Sequence, residues 1–496
     1  MASLLRRDFF RAMAGGPLLA AADPPSPRRA PFVGIHIAAH SFYDEGLEYC
    51  LDFLQEAAGV NALFVSSTYY YGAMVRPREV LGDHGVPVRD NRGRRLSRIY
   101  FRPDAAAFAG TTLRHPAPDP DAEYAGREIF ADLAEPARRR GMKLFERMYE
   151  PGGPALTRDL QNGEKVRTVD LAGRPGDKPC WNHPEFRAWI EGTATSLFRA
   201  YPLDGIQYGA ERVGPLSRLL YHGTPPACFC EHCERRGRER GLDMGRVRRG
   251  FQRLHDFLQA QRRGAARPGD GVLTTLLGVL LDCPDILAWE REQLASAEEI
   301  HASLYAAVKA IRPNARVGRH VDHAQSSWDL VYRAAVPPSR MAETCDFLKL
   351  ALYHEILGPR LRSVLEGLRR GPLRELTGEQ TLSLFYATMG HDPVDEPALE
   401  RLDAGGLSPE YVRRETRRFV EGVASRCAVY SGIGLDIPGG VGWGDRARPS
   451  EPESVYRAVH RAREAGAEGI VICREYEENR RESLRAVGRA VKEWSS

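Results

Sequence analysis

Residues 32–40 (FVGIHIAAH) are a short apolar run, and residues 46–58 (GLEYCLDFLQEAA) follow with apolar side chains at helical spacing. A short apolar run bounded by turn residues is typical of a buried strand, whereas apolar residues that recur every three or four positions are typical of an amphipathic helix. The two segments therefore predict one β-strand that leads into one α-helix.

The same unit recurs along the rest of the chain. Helical spacing predicts helices between further apolar runs, such as residues 130–140 and 184–200. The predicted strands are residues 32–40, 61–67, 142–150, 204–211, 315–321, 346–355, 427–437 and 469–475. Eight strands that alternate with helices indicate a parallel α/β fold, and eight is the number at which such a sheet closes into a (β/α)8 TIM barrel.

Two predicted connections are much longer than the others. Residues 68–129 follow the second strand, and residues 212–314 follow the fourth strand and include strongly helical stretches. In a barrel, both insertions lie on the face formed by the carboxyl ends of the strands. We therefore predict one barrel domain over residues 32–496 with a helical insertion at about 240–312. The alternative is a separate helical domain at that place.

The composition is that of an ordinary globular protein. The chain has 496 residues, of which 43% are hydrophobic and 27% are charged, so intrinsic disorder and fibrous architectures are excluded. Its formal net charge is +4. The amino-terminal segment accounts for +2 of this charge, through Arg6, Arg7, Arg11 and the opposing Asp8. The rest of the chain is nearly neutral and has no glycine-rich loop of the kind that binds phosphate. Both features argue against nucleic acid as a partner.

The first 22 residues have the pattern of an export signal. Residues 5–11 (LRRDFFR) are basic, a short apolar run follows, and residues 20–22 (AAA) offer small side chains for cleavage. This pattern resembles a twin-arginine signal, which predicts the twin-arginine export machinery as a partner and a periplasmic or secreted protein. An amphipathic amino-terminal helix is the alternative. Residues 23–31 are a proline-rich linker, and no apolar stretch of about 20 residues predicts a transmembrane anchor.

Three cysteines within six residues form the most specific local motif. Residues 228–233 read CFCEHC, and this C-x-C-x-x-C spacing brings thiolates together as ligands of tetrahedral zinc. Cys180 precedes the helix that leads into the fourth strand and is the expected fourth ligand, with His222 and His232 as alternatives. The predicted metal ligands are therefore Cys180, Cys228, Cys230 and Cys233.

Four thiolates leave no open coordination position, so the predicted zinc is structural. One or two disulfides are the other interpretation, because exported proteins meet an oxidising compartment. Twin-arginine export favours zinc, since its cargo folds in the cytoplasm, where thiols stay reduced.

Acidic residues follow three of the predicted strands. Side chains alternate along the fourth strand, so Gln207, Gly209 and Glu211 share the face toward the barrel axis. Asp436 and Glu475 follow the seventh and eighth strands at the same rim, where active sites of this architecture lie. Glycoside hydrolysis uses two carboxyl groups, about 5–5.5 Å apart for retention and about 6.5–9.5 Å apart for inversion. The predicted catalytic residues are Glu211, Asp436 and Glu475, with helix caps or arginine partners as the alternative.

Histidine and aromatic side chains accompany these acids. His36 and His40 share one face of the first strand, and Lys349, Tyr353 and Glu355 share one face of the sixth. Aromatic rings offer apolar faces to sugar rings, although a place in the core is the alternative. The predicted substrate-binding residues are His36, His40, Tyr353, His354 and Trp443, with Trp181, Trp328, Tyr69, Tyr70 and Tyr71 as further aromatic candidates.

Two motifs together resemble a known family. Residues 204–211 (DGIQYGAE) followed by CFCEHC are similar to the catalytic barrel of bacterial family 42 β-galactosidases and of related uncharacterised glycosyl-hydrolase-like barrels. The resemblance implies a barrel with Glu211 as the acid/base and a zinc ion held by the cysteine motif and Cys180. The chain differs at Ala210, where the family has asparagine, and at Asp436, where the family has a glutamate nucleophile.

The leading hypothesis is an exported glycoside hydrolase without an organic cofactor. Glu211 acts as general acid, and Asp436 or Glu475 acts as nucleophile or base on a carbohydrate substrate. A second hypothesis is a barrel that binds carbohydrate without hydrolysing it, which the departures at Ala210 and Asp436 support. A third is a metal-dependent hydrolase or isomerase with an open metal position for water, using His36, His40, His320, Asp322 and His323.

Overall fold

A closed barrel of eight parallel strands forms the centre of the protein. The computed structural model describes residues 30–68, 81–86, 88–89, 93–439 and 446–496. In chain order its strands are β1 (Phe32–Ala38), β2 (Ala62–Ser66), β3 (Lys143–Tyr149), β4 (Arg167–Val169), β5 (Pro175–Pro179), β6 (Gly205–Gly209), β7 (Arg316–Val321), β8 (Phe347–Ala351), β9 (Ala428–Gly434) and β10 (Gly469–Cys473).

The barrel runs in the cyclic order β1, β10, β9, β8, β7, β6, β3, β2, while β4 and β5 form a separate antiparallel pair. Each of the eight predicted strands overlaps one barrel strand. The predicted (β/α)8 TIM barrel is therefore confirmed.

Helices cover the outside of the barrel and build its insertions. The α-helices of the described residues are α1 (Ala39–Glu45), α2 (Leu47–Ala58), α3 (Ile129–Arg139), α4 (Pro154–Arg158), α5 (Pro184–Ala200), α6 (Pro215–Ser217), α7 (Glu231–Glu239), α8 (Met244–Arg262), α9 (Val272–Asp282), α10 (Asp285–Ile311), α11 (Leu330–Ala335), α12 (Pro338–Met341), α13 (His354–Arg369), α14 (Gly378–Met389), α15 (Leu402–Gly405), α16 (Pro409–Val423), α17 (Pro452–Glu464) and α18 (Arg481–Ser495). Among the residues described, no single helix is long and apolar enough to cross a membrane; α9 and α10 reach that length and hydropathy only as a bent pair.

Aromatic rings fill the amino-terminal end of the barrel. Phe32 stacks on Tyr430 with ring centroids 4.2 Å apart, and Phe64 stacks on Phe145 at 4.7 Å. Phe347 packs edge-on against Phe64 and Phe145 at 6.0 and 5.8 Å. These rings close that end of the interior, so a ligand reaches the barrel from the carboxyl ends of the strands, as is usual for this architecture.

The connection between β6 and β7 contains a second, smaller core. Helices α8 and α9 pack around Phe229 and Trp289, whose rings stack with centroids 5.7 Å apart. The four cysteines of the predicted zinc motif border the same core. Helix α10 contributes Trp289 to this core and packs on α8, and it also packs on α5 and β7, so it joins the insertion to the outer layer of the barrel.

Seven of the eight barrel strands end earlier than predicted, and β7 ends at Val321 as predicted. Residues 39–40 form the buried first turn of α1, so His40 does not share a strand face with His36, and that part of the prediction is wrong. His354 likewise lies in α13 rather than in a strand. Glu211 and Asp436 have positive φ angles of 44° and 41°. This left-handed backbone does not continue a pleated strand, so both acids turn away from their strands at the rim.

Candidate functional site

Glu211 lies at the mouth of the barrel, just after β6. Its Oε1 atom is 3.2 Å from Nε2 of His320 on the neighbouring strand β7, and its side chain is 24% exposed. Burial raises the pKa of the Glu211 carboxyl above its ordinary value and lowers the pKa of His320 well below its ordinary value. A carboxyl group that retains its proton and remains accessible has the properties of a general acid.

A second carboxyl group, Asp322, follows β7. Its Oδ1 atom accepts a hydrogen bond from the backbone N–H of Gln325 at 2.9 Å. Burial raises the pKa of Asp322 to about 7, and the charge of Glu211 also raises this pKa. The sequence predicted Asp322 only as a possible metal ligand. The sequence did contain a signal for Asp322 as a second carboxyl group near Glu211. Asp322 follows the fifth barrel strand, much as Glu211 follows the fourth.

Glu475 lies at the same rim, just after β10. Its Oε1 atom is 2.5 Å from Nη1 of Arg147, which shares the inner face of β3 with Phe145, and its side chain is 20% exposed. Burial and the charge of Glu475 raise the pKa of the nearby Glu477 to about 8. A guanidinium group is the usual partner of an ionised carboxylate. The mouth therefore combines one carboxyl group that favours the protonated form with one that is ion-paired.

The third predicted acid, Asp436, is buried, and both of its carboxylate oxygens accept hydrogen bonds from other residues. Oδ1 accepts hydrogen bonds from the Ser450 backbone N–H at 3.0 Å, from Nε of Arg480 at 2.9 Å and from the Ser483 hydroxyl at 3.1 Å. Oδ2 accepts a hydrogen bond from the Arg480 backbone N–H at 2.7 Å. These bonds hold the end of β9 to the start of α18. The role of Asp436 as a nucleophile stays a prediction that these contacts do not favour.

Two of the predicted substrate-binding residues belong to the polar interior. Nε2 of His36 lies 3.3 Å from Oε1 of Gln207, across the barrel axis from β1 to β6. The Tyr353 hydroxyl accepts a hydrogen bond from Nζ of Lys349, and the same nitrogen lies 3.4 Å from Nδ1 of His320. Because His320 also contacts Glu211, Tyr353 and Lys349 are linked through its ring to the Glu211 carboxyl.

His40 and His354 are buried against other side chains. Nε2 of His40 lies 3.9 Å from Oε1 of Glu477, and Nε2 of His354 lies 3.0 Å from Oγ of Ser454. Burial lowers the pKa of both histidines to about 4, so both rings are neutral near pH 7. The predicted Trp443 and the run Tyr69 to Tyr71 lie outside the described residues.

The mouth also holds His323 and Arg360. The His323 ring lies parallel to that of Trp328 with centroids 6.0 Å apart and packs edge-on against Tyr353 at 4.9 Å. Arg360, on α13, carries a charge that lowers the pKa values of Glu211, Asp322 and His323, although burial is the largest influence on each of them. The sequence did not predict Arg360, because a residue in the middle of a helix gives no signal in the strand pattern.

The four predicted cysteine ligands come together. Their sulfur atoms all lie within 4.8 Å of one another, and Sγ of Cys180 is 3.4 Å from Sγ of both Cys230 and Cys233. Tetrahedral zinc with Zn–S bonds of about 2.3 Å holds its sulfur ligands about 3.8 Å apart, so the cluster fits such an ion closely. The backbone N–H groups of Val169 and Asn182 donate hydrogen bonds to Sγ of Cys228 and of Cys180 at 3.3 Å, and such bonds orient thiolates that bind a metal.

The cluster of Cys180, Cys228, Cys230 and Cys233 could therefore hold a metal ion. Cys180 is the fourth member, rather than His222 or His232, and each of the four is a free thiol. Within the described ranges this is the one group of histidine, cysteine or acidic side chains arranged to bind a metal.

No protein-family model and no curated protein matches the chain. Among solved structures, the β-galactosidase of the Antarctic haloarchaeon Halorubrum lacusprofundi is 12% identical, with a TM-score of 0.51 over 93% of this chain and 58% of that one. The glycoside hydrolase domain of PgaB (BpsB) from Bordetella bronchiseptica is 12% identical, with a TM-score of 0.47 over 90% of this chain and 94% of that one. The β-galactosidase of Marinomonas ef1 is 9% identical, with a TM-score of 0.48 over 93% and 59%.

The chain thus spans less than two thirds of the two β-galactosidases. At these identities the likeness shows the fold alone, and the resemblance to family 42 stays a prediction. The protein has a TIM-barrel fold and shares its overall architecture with the Halorubrum lacusprofundi β-galactosidase.

Proposed function

We propose that the protein is an exported glycoside hydrolase whose catalytic carboxyl groups are Glu211 and Glu475. The observation that carries this is the Glu211 carboxyl at the barrel mouth, whose pKa is raised by burial and which lies 3.2 Å from His320. A general acid must hold its proton at the working pH, and burial favours the protonated form. Glu475, paired with Arg147, supplies the second carboxylate that glycoside hydrolysis requires.

In this scheme Glu211 protonates the glycosidic oxygen as its bond to the sugar breaks. Glu475 then acts on the oxocarbenium-like carbon, either directly as a nucleophile or as a base toward water. Asp322 lies close enough to Glu211 for the Glu211 charge to raise its pKa, so ionisation of one of these two acids opposes ionisation of the other. Asp436 has no part in this scheme, since its oxygens bind Ser450, Arg480 and Ser483.

The cysteine cluster is proposed to hold a structural zinc ion. Four thiolates complete a tetrahedral site and leave no position for water, so the ion takes no part in hydrolysis. It would tie the loop at residues 228–233 to Cys180, ahead of α5, and stabilise the small core around Phe229 and Trp289.

Export through the twin-arginine pathway rests on residues 5–11, which lie outside the described residues. The test is cell fractionation of a chain in which Arg6 and Arg7 are both replaced by lysine. We expect this variant to stay in the cytoplasm, while the matched Arg11→Lys variant is exported like the wild type. Equal export of all three chains would contradict a twin-arginine route.

The test of the hydrolase compares two series of substrates, aryl glycosides with good leaving groups and oligosaccharides with poor ones. Glu211→Gln is expected to slow the oligosaccharides about 10²–10⁴-fold and to affect the activated aryl glycosides much less, since these need little protonation. Glu475→Gln is expected to slow both series. Glu468→Gln, an exposed acid at the opposite end of β10, is the matched control and should leave both rates unchanged.

The same measurements separate the other two hypotheses. Oligosaccharide binding without hydrolysis by any variant, wild type included, would favour a carbohydrate-binding barrel. Activity that is lost on chelation while the cysteine-bound metal is retained would favour a metal-dependent enzyme. The proposed ligands of that metal do not form a metal-binding group among the described residues: His36, His40, His320, Asp322 and His323.

A further inference from the structure

Arg360 is an arginine of the barrel mouth that has no hydrogen-bonded carboxylate among the described residues. It projects from α13, is half-buried, and makes no hydrogen bond or ion pair with any other residue that the structure describes. Burial and the charge of Arg474 lower the pKa of its guanidinium to about 10, although the charges of Glu211, Tyr353 and Asp322 act in the opposite direction. The charges of Glu211 and Asp322 therefore act on this cation from a distance, but no described carboxylate is hydrogen-bonded to it.

Other buried arginines of the barrel strands and of the mouth are compensated by carboxylates. Both carboxylate oxygens of Glu298 bind Arg319 at 2.7 Å, and Glu475 binds Arg147 at 2.5 Å. Arg474, the neighbour of Arg360, makes two bonds of 3.2 Å to Glu478. Burying a charge without a partner is unfavourable, so the missing partner of Arg360 points to a ligand.

Burial shifts the acids near Arg360 toward their neutral forms. Burial raises the pKa of Asp322 to about 7 and raises the pKa of Glu211, so both groups favour their neutral forms. Burial lowers the pKa of Lys349 to about 8, so it still carries charge near pH 7. A general acid is protonated before it acts. When Glu211 is protonated, the negative charge near Arg360 is therefore lower than when Glu211 is ionised.

A second set of unpaired polar atoms lies beside Arg360. Both ring nitrogens of His323 are buried and have no hydrogen-bond partner among the described residues. Burial lowers the pKa of His323 well below its ordinary value, and the charge of Arg360 lowers it further, so the ring is neutral and offers one N–H donor. Trp328 lies parallel to the imidazole and fixes its plane.

We propose that Arg360 and His323 form a subsite for an anionic group of the substrate, the carboxylate of a uronic-acid unit or a sulfate ester, next to Glu211. The planar guanidinium fork matches two oxygens of such a group, and the His323 N–H can donate to one of them. Because the subsite lies beside the proposed acid, this assignment rests on the proposed hydrolase and names its substrate class as acidic glycans.

The test is calorimetric titration of the Glu211→Gln variant, which should bind substrate without turning it over. The probes are oligomers of galacturonic acid, oligomers of glucuronic acid, sulfated galactan oligomers and neutral galactan oligomers. We expect one anionic series to bind at least about tenfold more tightly than the neutral series, and added salt to weaken only the anionic series. The preferred series distinguishes a carboxylate from a sulfate ligand.

A second variant assigns the preference to Arg360. Arg360→Met in the Glu211→Gln background should weaken binding of the anionic series about 30-fold or more and leave the neutral series unchanged. Arg370→Met, a paired and 71% exposed arginine at the end of the same helix, is the matched control. Thermal melting should show Arg360→Met folded, because it removes an unpaired charge rather than a pair.

Equal binding of anionic and neutral oligomers, absence of binding by every anionic series, or an unchanged preference in Arg360→Met would overturn the anion subsite. The failure of the hydrolase would look different, since anionic oligomers would bind through Arg360 but wild type would cleave none of them. Wild-type cleavage of neutral glycans with no effect of Arg360→Met would keep the hydrolase and reject the subsite.

Discussion

Replacing Asp436 by asparagine tests whether this residue at the rim of the barrel has a structural role or acts as the nucleophile. The carboxylate accepts four hydrogen bonds, from Ser450, Ser483 and two donors of Arg480. An asparagine has the same shape but turns one acceptor oxygen into an NH₂ donor, which then faces a donor. We therefore expect Asp436→Asn to weaken the link between β9 and α18 while leaving the barrel mouth unchanged.

The expected size of the effect follows from these contacts. Removing one partner of a buried, hydrogen-bonded ion pair costs about 3–5 kcal/mol, because the other charge stays buried. Unfolding entropy is about 2.1 cal/mol/K per residue, so for a chain of this length each kcal/mol lowers the Tm by about 1 °C. Asp436→Asn should therefore lower the Tm by about 3–5 °C.

The assay pairs thermal unfolding, followed by circular dichroism, with hydrolysis measured well below the Tm. Asp282→Asn is the control, since it removes an exposed ion pair with Arg253 and should cost less than about 1 kcal/mol. Asp436→Asn should melt earlier but keep its kcat within a few fold of wild type. An unchanged Tm with activity reduced about a thousandfold or more would refute this reasoning and restore Asp436 as the nucleophile.

Three further outcomes test other parts of the structure. Gly318→Ala should destabilise the protein by about 1–3 kcal/mol in urea unfolding, because the added Cβ would overlap the Phe347 ring inside the barrel. Cys230→Ser should lose bound zinc, measured by elemental analysis, and melt earlier, whereas Cys50→Ser, remote from the cluster, should keep its metal. Burial raises the pKa of Glu146 from 4.5 to about 8, so the folded state binds a proton that the unfolded state has released, and stability falls as the pH rises through this window. Glu146→Gln should therefore be more stable than wild type in urea at pH 9 by up to a few kcal/mol, with no such gain at pH 4.

The barrel could be predicted from the sequence because its strands are buried on both faces and are mostly apolar. Runs such as residues 32–40 and 469–475 stand out between polar turns, and the helices between them show helical spacing. The ends of the strands were less predictable. Apolar and small residues continue past the end of β1 into α1, so His40 was assigned to the strand although it lies in the helix.

The site was predicted in part. Glu211 and Glu475 were predicted because residues that follow barrel strands share one rim, and the cysteine cluster because its spacing is local. Arg360 was missed because its place in the mouth depends on how α13 packs over the barrel. The bonds that occupy Asp436 come from α18 and the segment before α17, and nothing in the sequence around Asp436 indicates them.

Hydrogen-bond donors, rather than position at the rim, distinguish the acids of the scaffold from those of the site. Asp436 has donors on both oxygens, and Glu150, after β3, accepts hydrogen bonds from Trp181 and Tyr208 and pairs with Arg212. A carboxylate surrounded in this way has little capacity left for a sugar. Glu211 and Glu475 each have a single close partner and remain partly exposed. Asp322 likewise has one close donor, the Gln325 N–H, and is partly exposed. Among the described acids that follow the barrel strands, these three therefore keep capacity for a ligand entering from the carboxyl end, and we propose Glu211 and Glu475 as the catalytic pair.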